Sequence, residues 1–153
     1  MLTRVRRLTT PLAVTLLAGG TALGTVAVAS SAAADQGGVP AIPLNTEQET
    51  TGSNTGASGF FSYTIEGDQL CYTVTVRDLS LPAVAAHIHR APRHVAGPIV
   101  IPLEVPPATS FTNSECVLVG GTILAEVQAN PKAFYVNVHT GNFPGGEVRG
   151  QLK

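Results

Sequence analysis

The chain has 153 residues, of which 44% are hydrophobic and 12% are charged, and its formal net charge at pH 7 is −1. This length is enough for one domain around one hydrophobic core. Outside its basic N-terminal segment the chain has no basic cluster and carries more acidic than basic side chains, which argues against nucleic acid and against anionic membrane surfaces as partners.

Residues 1–34 predict a signal peptide. They combine a basic start, an uncharged stretch over residues 12–29 and a small-x-small site at residues 32–34, which leaves Asp35 as the mature N-terminus. An uncleaved anchor is the alternative, because about 18 apolar residues can span a bilayer. Three glycines make this stretch weakly apolar, so we expect cleavage, secretion and no stable membrane insertion afterwards. Sec export is the default, and the Arg6-Arg7 pair leaves twin-arginine export open.

Cleavage would leave about 119 residues that carry six basic and ten acidic side chains, for a net charge near −4. Both cysteines, Cys71 and Cys116, belong to this part. An even pair in an oxidising compartment predicts one disulfide. Closing a loop of about 45 residues stabilises the fold by up to roughly 4 kcal/mol in the chain-entropy description. Metal ligation by the thiolates is the alternative, but neither cysteine has a neighbouring cysteine or histidine at ligand spacing.

The exported part is expected to be mostly β-structure. Residues 35–58 are rich in Gly, Ser, Thr and Asn and predict a flexible lead-in. Apolar residues then alternate through 60–65 and 70–76 around a turn at 66–68, which predicts a β-hairpin. Residues 99–101 predict an edge strand between two prolines.

One helix is predicted over residues 122–129, with Thr122 as its cap and Asn130-Pro131 as its end. Apolar and polar residues alternate again from Phe134, and a closing strand is predicted over residues 147–152. Short, regularly spaced strands with one brief helix indicate an all-β fold, an antiparallel, Greek-key-like β-sandwich. The β domain is placed at residues 40–153.

Three of the four histidines lie on strand-like segments. His87 and His89 share one face of a strand because side chains alternate with a period of two, and His139 ends a second alternating run. If the two strands are neighbours, the three imidazoles can converge on one copper or zinc ion, with His94 as an optional fourth ligand. The alternative is a structural network in which the histidines are satisfied by hydrogen bonds.

Asn137, Glu147 and Arg149 are candidates to orient the histidine rings by contacting the ring nitrogens that do not bind the metal, as ligating imidazoles require. An ordinary ion pair between Glu147 and Arg149 is the alternative. The serines have no nucleophile-elbow or triad context and the acidic residues are scattered, so no catalytic residue is predicted.

Five segments in order resemble the CHRD (chordin) domain over roughly residues 40–152. They are Leu70-Cys71-Tyr72, Ala86-His87-Ile88-His89, residues 97–100, residues 135–140 and residues 143–152. The resemblance implies an extracellular or exported β-sandwich and does not itself imply an activity. In this chain residues 90–94 replace the glycine-rich turn that many members carry after the His-x-His pair.

Three functions follow as expectations. The first is a secreted binding module for an extracellular ligand or a metal ion, holding one copper or zinc ion through the strand histidines. The second is a structural or adhesive extracellular protein in which the histidines brace the fold. The third is a copper-dependent oxidoreductase, because the histidine pattern resembles the copper site of Cu/Zn superoxide dismutases; the paired zinc site of those enzymes has no counterpart in residues 90–97.

Overall fold

The computed structural model of the protein describes residues 41–153, so the predicted signal peptide lies outside the described residues. Eight strands and one α-helix make up this part: β1 Ile42–Asn45, β2 Ser58–Glu66, β3 Gln69–Arg77, β4 Ala83–Arg90, β5 Ile99–Leu103, β6 Phe111–Leu118, α1 Gly121–Ala129, β7 Phe134–Thr140 and β8 Val148–Gln151. Short 3-10 turns lie at Thr46–Gln48 and Pro131–Ala133. Within residues 41–153, no helix has both the length and the apolar character that crossing a membrane requires.

The strands form one antiparallel sheet in the order β5-β4-β7-β8-β1-β2-β3-β6. The all-β prediction is therefore confirmed, although one continuous sheet curls around the core in a barrel-like manner instead of forming two separate sheets. The backbone of Glu104, just after β5, holds the two ends of the sheet together. Its N–H donates to Tyr72 Oη of β3 at 2.7 Å, and its carbonyl accepts from that hydroxyl at 2.9 Å and from Asn113 Nδ2 of β6 at 2.9 Å.

The β2–β3 hairpin is confirmed. Glu66 pairs with Gln69, which leaves Gly67 and Asp68 as a two-residue turn. Gly67 has a φ of 58°, a left-handed conformation that glycine adopts without steric cost and that suits tight hairpin turns. The edge position predicted for residues 99–101 also holds, because β5 is the first strand of the sheet.

The flexible lead-in predicted for residues 35–58 is wrong for the part that the structure describes. Strand β1 lies inside that range and pairs with both β2 and β8. Ile42 and Leu44, each 1% exposed, face the core from this strand. Two apolar residues at a spacing of two are too few to stand out from the surrounding polar sequence, so the pattern did not reveal the strand.

The predicted helix is present one residue earlier than expected, and its cap differs. Gly120 occupies the N-cap position, so no side chain caps the first turn of the helix. Thr122 lies inside that turn. Buried Leu124 and Val127 anchor the helix on the core. Packing of this apolar face therefore holds the helix without help from a capping side chain.

Strand β7 is buried along its whole length, which decides where a functional site can lie. Phe134, Val136 and Val138 point into the hydrophobic core. Because side chains alternate, the residues between them point to the opposite face of the sheet. That face is also buried, and it carries Tyr135, Asn137 and His139.

The predicted disulfide is confirmed. Cys71 of β3 and Cys116 of β6 are directly opposed in the antiparallel ladder, with their Cα atoms 4.0 Å apart. The bond closes a loop across a sequence separation of 45 residues. Because β6 is the last strand of the sheet, the disulfide holds an edge strand to its only neighbour.

Replacing both cysteines with serine should lower the free energy of unfolding by about 2–4 kcal/mol, because the unfolded chain regains the entropy of an open loop. Urea unfolding of the parent and of Cys71→Ser/Cys116→Ser tests this. A reducing agent should destabilise the parent and leave the variant unchanged. Equal stability of the two proteins would contradict the prediction.

Candidate metal centre

His87, His89 and His139 converge on the face of the sheet that points away from the core. β4 and β7 are antiparallel neighbours, with His87 opposite Asn137 and Ala85 opposite His139. The candidate ligand atoms of the three rings all lie within 4.8 Å of one another. The strand adjacency on which the sequence-based metal site depended is therefore present.

Backbone carbonyls fix the protonation of two of the rings. His139 Nδ1 lies 2.9 Å from the Pro144 carbonyl oxygen, and His89 Nδ1 lies 2.9 Å from the Gly97 carbonyl oxygen. A carbonyl can only accept, so each Nδ1 carries the hydrogen and each Nε2 of the neutral ring keeps its lone pair. Metal-ligating histidines are commonly oriented in this way.

The Nε2 atoms of these two rings differ in their partners. His139 Nε2 lies 2.9 Å from His87 Nδ1, whereas His89 Nε2 is buried and has no hydrogen-bond partner within the described residues. A buried lone pair without a donor costs free energy. A cation that all three rings share would satisfy it.

The donor set fits copper or zinc better than magnesium or calcium, because it consists of imidazoles alone. Bonds of about 2.0–2.1 Å in a tetrahedral site place neighbouring nitrogens roughly 3.3 Å apart. The 2.9 Å between His87 and His139 is close to that spacing. The ligand atoms of the other pairs lie within 4.8 Å of one another.

Burial keeps the imidazoles neutral. It lowers the pKa of His139 to about 4, and it also lowers the pKa values of His87 and His89. A neutral imidazole offers its lone pair without first losing a proton. His87 is only half-buried, so the cluster reaches solvent on its side.

A stack of three side chains supports His89. Its ring lies parallel to that of Tyr135, with the centroids 4.7 Å apart, and the guanidinium carbon of Arg149 lies 3.3 Å from the Tyr135 centroid. Gly97 links the stack to the loop before β5, since its carbonyl accepts from His89 and its N–H donates to Tyr135 Oη at 3.3 Å. A Cβ at Gly97 would lie 2.1 Å from the Arg90 carbonyl oxygen, so only glycine fits.

Two of the residues predicted to support the histidines lie beside them. Asn137 is fully buried opposite His87, and its Nδ2 donates to the Gly145 carbonyl at 3.2 Å. Arg149 is fully buried opposite Asn137 and donates to the carbonyls of Pro92 and Val95. Arg149 thus acts on His89 through Tyr135 and holds the loop between β4 and β5 in place.

Glu147 lies elsewhere, within a network of hydrogen bonds. Its carboxylate accepts from Thr55, from Thr140 and from both the backbone N–H and the hydroxyl of Ser80 at 2.7–2.8 Å. Burial raises the pKa of Glu147, but these hydrogen bonds together hold it below its ordinary value. The carboxylate therefore joins the segments before β2 and before β4 to the end of β7.

His94 lies apart from the three converging histidines. It is exposed in the loop between β4 and β5, with a φ of 61°, and is not one of the group whose ligand atoms converge. An ion held by the three rings would therefore take no ligand from His94.

Sequence reasoning missed Glu49, because it lies in the segment interpreted as a lead-in. Its side chain is almost fully buried, and its Oε1 has no hydrogen-bond partner in the described part of the chain. Burial raises the pKa of Glu49 to about 7, against the opposing effect of Arg149. Tyr135 and Gly97 were also missed as supports, although both lie in the segments that carry the family resemblance.

A protein-family model described as the CHRD domain matches residues 41–152. The match covers the described part of the chain almost completely and includes every residue of the histidine cluster. The comparison with curated proteins found no match, and neither did the comparison with solved structures.

The depressed pKa of His139 predicts a loss of stability in acid for the metal-free protein. Below about pH 6.5 the unfolded chain binds a proton at His139, whereas folded His139 has a pKa of about 4 and stays neutral until then. The free energy of unfolding therefore falls across this window, by up to about 3 kcal/mol. Glu49, with its raised pKa, acts in the opposite direction.

Urea unfolding with a chelator at pH 7, 5.5 and 4.5 measures this dependence, and a His139→Gln variant separates it from that of Glu49. The variant should lose less stability than the parent between pH 6.5 and 4. Parallel pH dependences for the two proteins would show that His139 titrates normally.

The stack predicts unequal effects of two substitutions at Tyr135. Tyr135→Leu removes the ring between His89 and Arg149 and should cost about 3 kcal/mol of stability. Tyr135→Phe keeps the ring and loses only the acceptor for the Gly97 N–H, at a cost of about 1 kcal/mol. Denaturant unfolding measures both, and equal losses would show that stacking contributes nothing.

Proposed function

Because this chain belongs to the CHRD family, we propose that it is an exported binding module that holds one copper or zinc ion through His87, His89 and His139. Family membership and the disulfide agree with an extracellular protein. Export itself rests on the sequence pattern of residues 1–34.

One observation carries the metal proposal. His89 Nε2 is buried, meets the distance and angle of a hydrogen bond with no described residue, and belongs to a ring whose Nδ1 is held by the Gly97 carbonyl. Asn137, whose Oδ1 is also unpaired, lies close enough to affect the pKa of His89 but does not complete that bond. A histidine that only braces the fold would be expected to use both nitrogens, because buried polar atoms are nearly always satisfied. The lone pair instead belongs to a group of three imidazole nitrogens.

The chain's own residues would hold the ion in a defined way. His89 and His139 would bind through Nε2, because their Nδ1 atoms are bonded to carbonyls. His87 Nδ1 donates to His139 Nε2 in the metal-free protein, because the hydrogen of His139 is on its Nδ1. To bind the ion through Nδ1, the His87 ring would carry its hydrogen on Nε2 instead. Asn137, Tyr135 and Arg149 would keep the rings in place, and a bound ion would supply a Lewis-acidic centre.

The test is metal content after copper or zinc loading, measured by mass spectrometry on protein purified from an oxidising compartment. The parent should retain one ion per chain with a dissociation constant in the low micromolar range or tighter. His87→Ala and His139→Ala should each abolish retention, because two imidazoles hold a cation much less firmly than three.

His94→Ala is the matched control, since it removes a histidine outside the cluster and should leave the metal content unchanged. Circular dichroism would establish that each variant is folded. Folded His87→Ala and His139→Ala proteins that keep the ion would refute the site. A parent that retains no metal, with variants that unfold, would establish the structural role of the histidines instead.

A further inference from the structure

A second candidate site lies beside β1 and β8, at a cleft with a volume of about 510 Å³. Pro43 of β1 supplies exposed aliphatic surface to its wall, whereas the neighbouring Ile42 and Leu152 are only 1% exposed and belong to the core beneath it. The volume and the aliphatic wall suit a small molecule with an apolar body. None of the three histidines lines this cleft.

Three cations from separate segments line the same cleft: Arg93 from the loop between β4 and β5, Lys132 from the turn before β7, and Lys153 after β8. No Asp or Glu of residues 41–153 lines it. None of the three cations forms an ion pair there either, since the ion pair found in the described part joins Arg90 to Glu126. The cleft therefore combines apolar surface with basic side chains that no acidic side chain of residues 41–153 pairs.

This concentration of positive charge contrasts with the composition of the domain. Residues 41–153 contain six basic and nine acidic side chains, and half of the basic ones lie at this cleft. The other three have partners: Arg77 donates to Ser58, Arg90 is paired, and Arg149 donates to carbonyls. Cations gathered in a cleft with low-dielectric walls attract anions.

The segments that carry two of the cations are held in place. Gln151 Nε2 lies 2.8 Å from the Ala91 carbonyl oxygen and 2.9 Å from the Lys132 carbonyl oxygen, which ties both segments to β8. Arg149 Nη2 donates to the Pro92 carbonyl, next to Arg93, at 2.8 Å. The backbone at both cations is therefore positioned before any ligand arrives, and this lowers the entropic cost of binding.

We propose that this cleft binds a small amphipathic anion, a carboxylate with an aliphatic chain. The carboxylate would lie beside the side chains of Arg93 and Lys132, and the aliphatic chain would lie against the exposed Pro43. The proposal is independent of the histidine cluster, because the two sites share no residue.

Octanoate is the probe, and its neutral analogue 1-octanol is the comparison. In nitrogen-15 correlation spectra of the labelled protein, octanoate should cause saturable shifts of the amides around Ile42, Gln48 and Leu152, with weaker binding of 1-octanol. Arg93→Gln and Lys132→Gln should each raise the dissociation constant at least about threefold, as expected for the loss of one charge contact.

Arg77→Gln is the matched control, because it removes the same charge from β3, outside the cleft, and should leave the dissociation constant unchanged. Equal binding of octanoate and 1-octanol would overturn the proposal, since the cations would then have no role. An equal loss of affinity in Arg77→Gln would do so too, by showing that only net charge matters. So would the absence of a saturable shift at millimolar octanoate.

Discussion

The pairing of β4 with β7 is the constraint on which the rest of the structure depends. It places Ile88 and Val136 on one side of the sheet, in the core, and the histidines with Tyr135 on the other. Polar side chains buried on an outer face need partners. Carbonyls from the loops around Gly97 and Pro144 supply them, so the loops and the histidine cluster stabilise each other.

The sequence predicted the structure correctly where apolar and polar residues alternate regularly. Alternation identified the β2–β3 hairpin, and a period of two placed His87 and His89 on one face before the neighbouring strand was known. It failed for β1, whose two core residues are too few to form a pattern. It also missed Glu49, because the groups that act on its pKa, Arg149 and Asn137, lie about a hundred residues away in the chain.

The different positions of Glu147 and Arg149 show a limit of the same reasoning. Two residues at i and i+2 share a face only within a continuous strand, and β8 begins at Val148. Glu147 therefore contacts Thr140, which alternation places on the opposite face of β7 from His139. The alternation of side chains does not reveal where a strand begins. The start of β8 therefore decided that Arg149, and not Glu147, lies near the histidine cluster.

The closure at Glu104 has a consequence for how the molecule behaves among copies of itself. A sheet with two open edge strands offers unpaired backbone groups to any other chain, which is the common route to strand addition and aggregation. Here β5 and β6 are the end strands, and Glu104 engages side chains of both β3 and β6. Pro102 also removes one backbone donor from β5, so that edge offers a shorter run of backbone groups for intermolecular pairing.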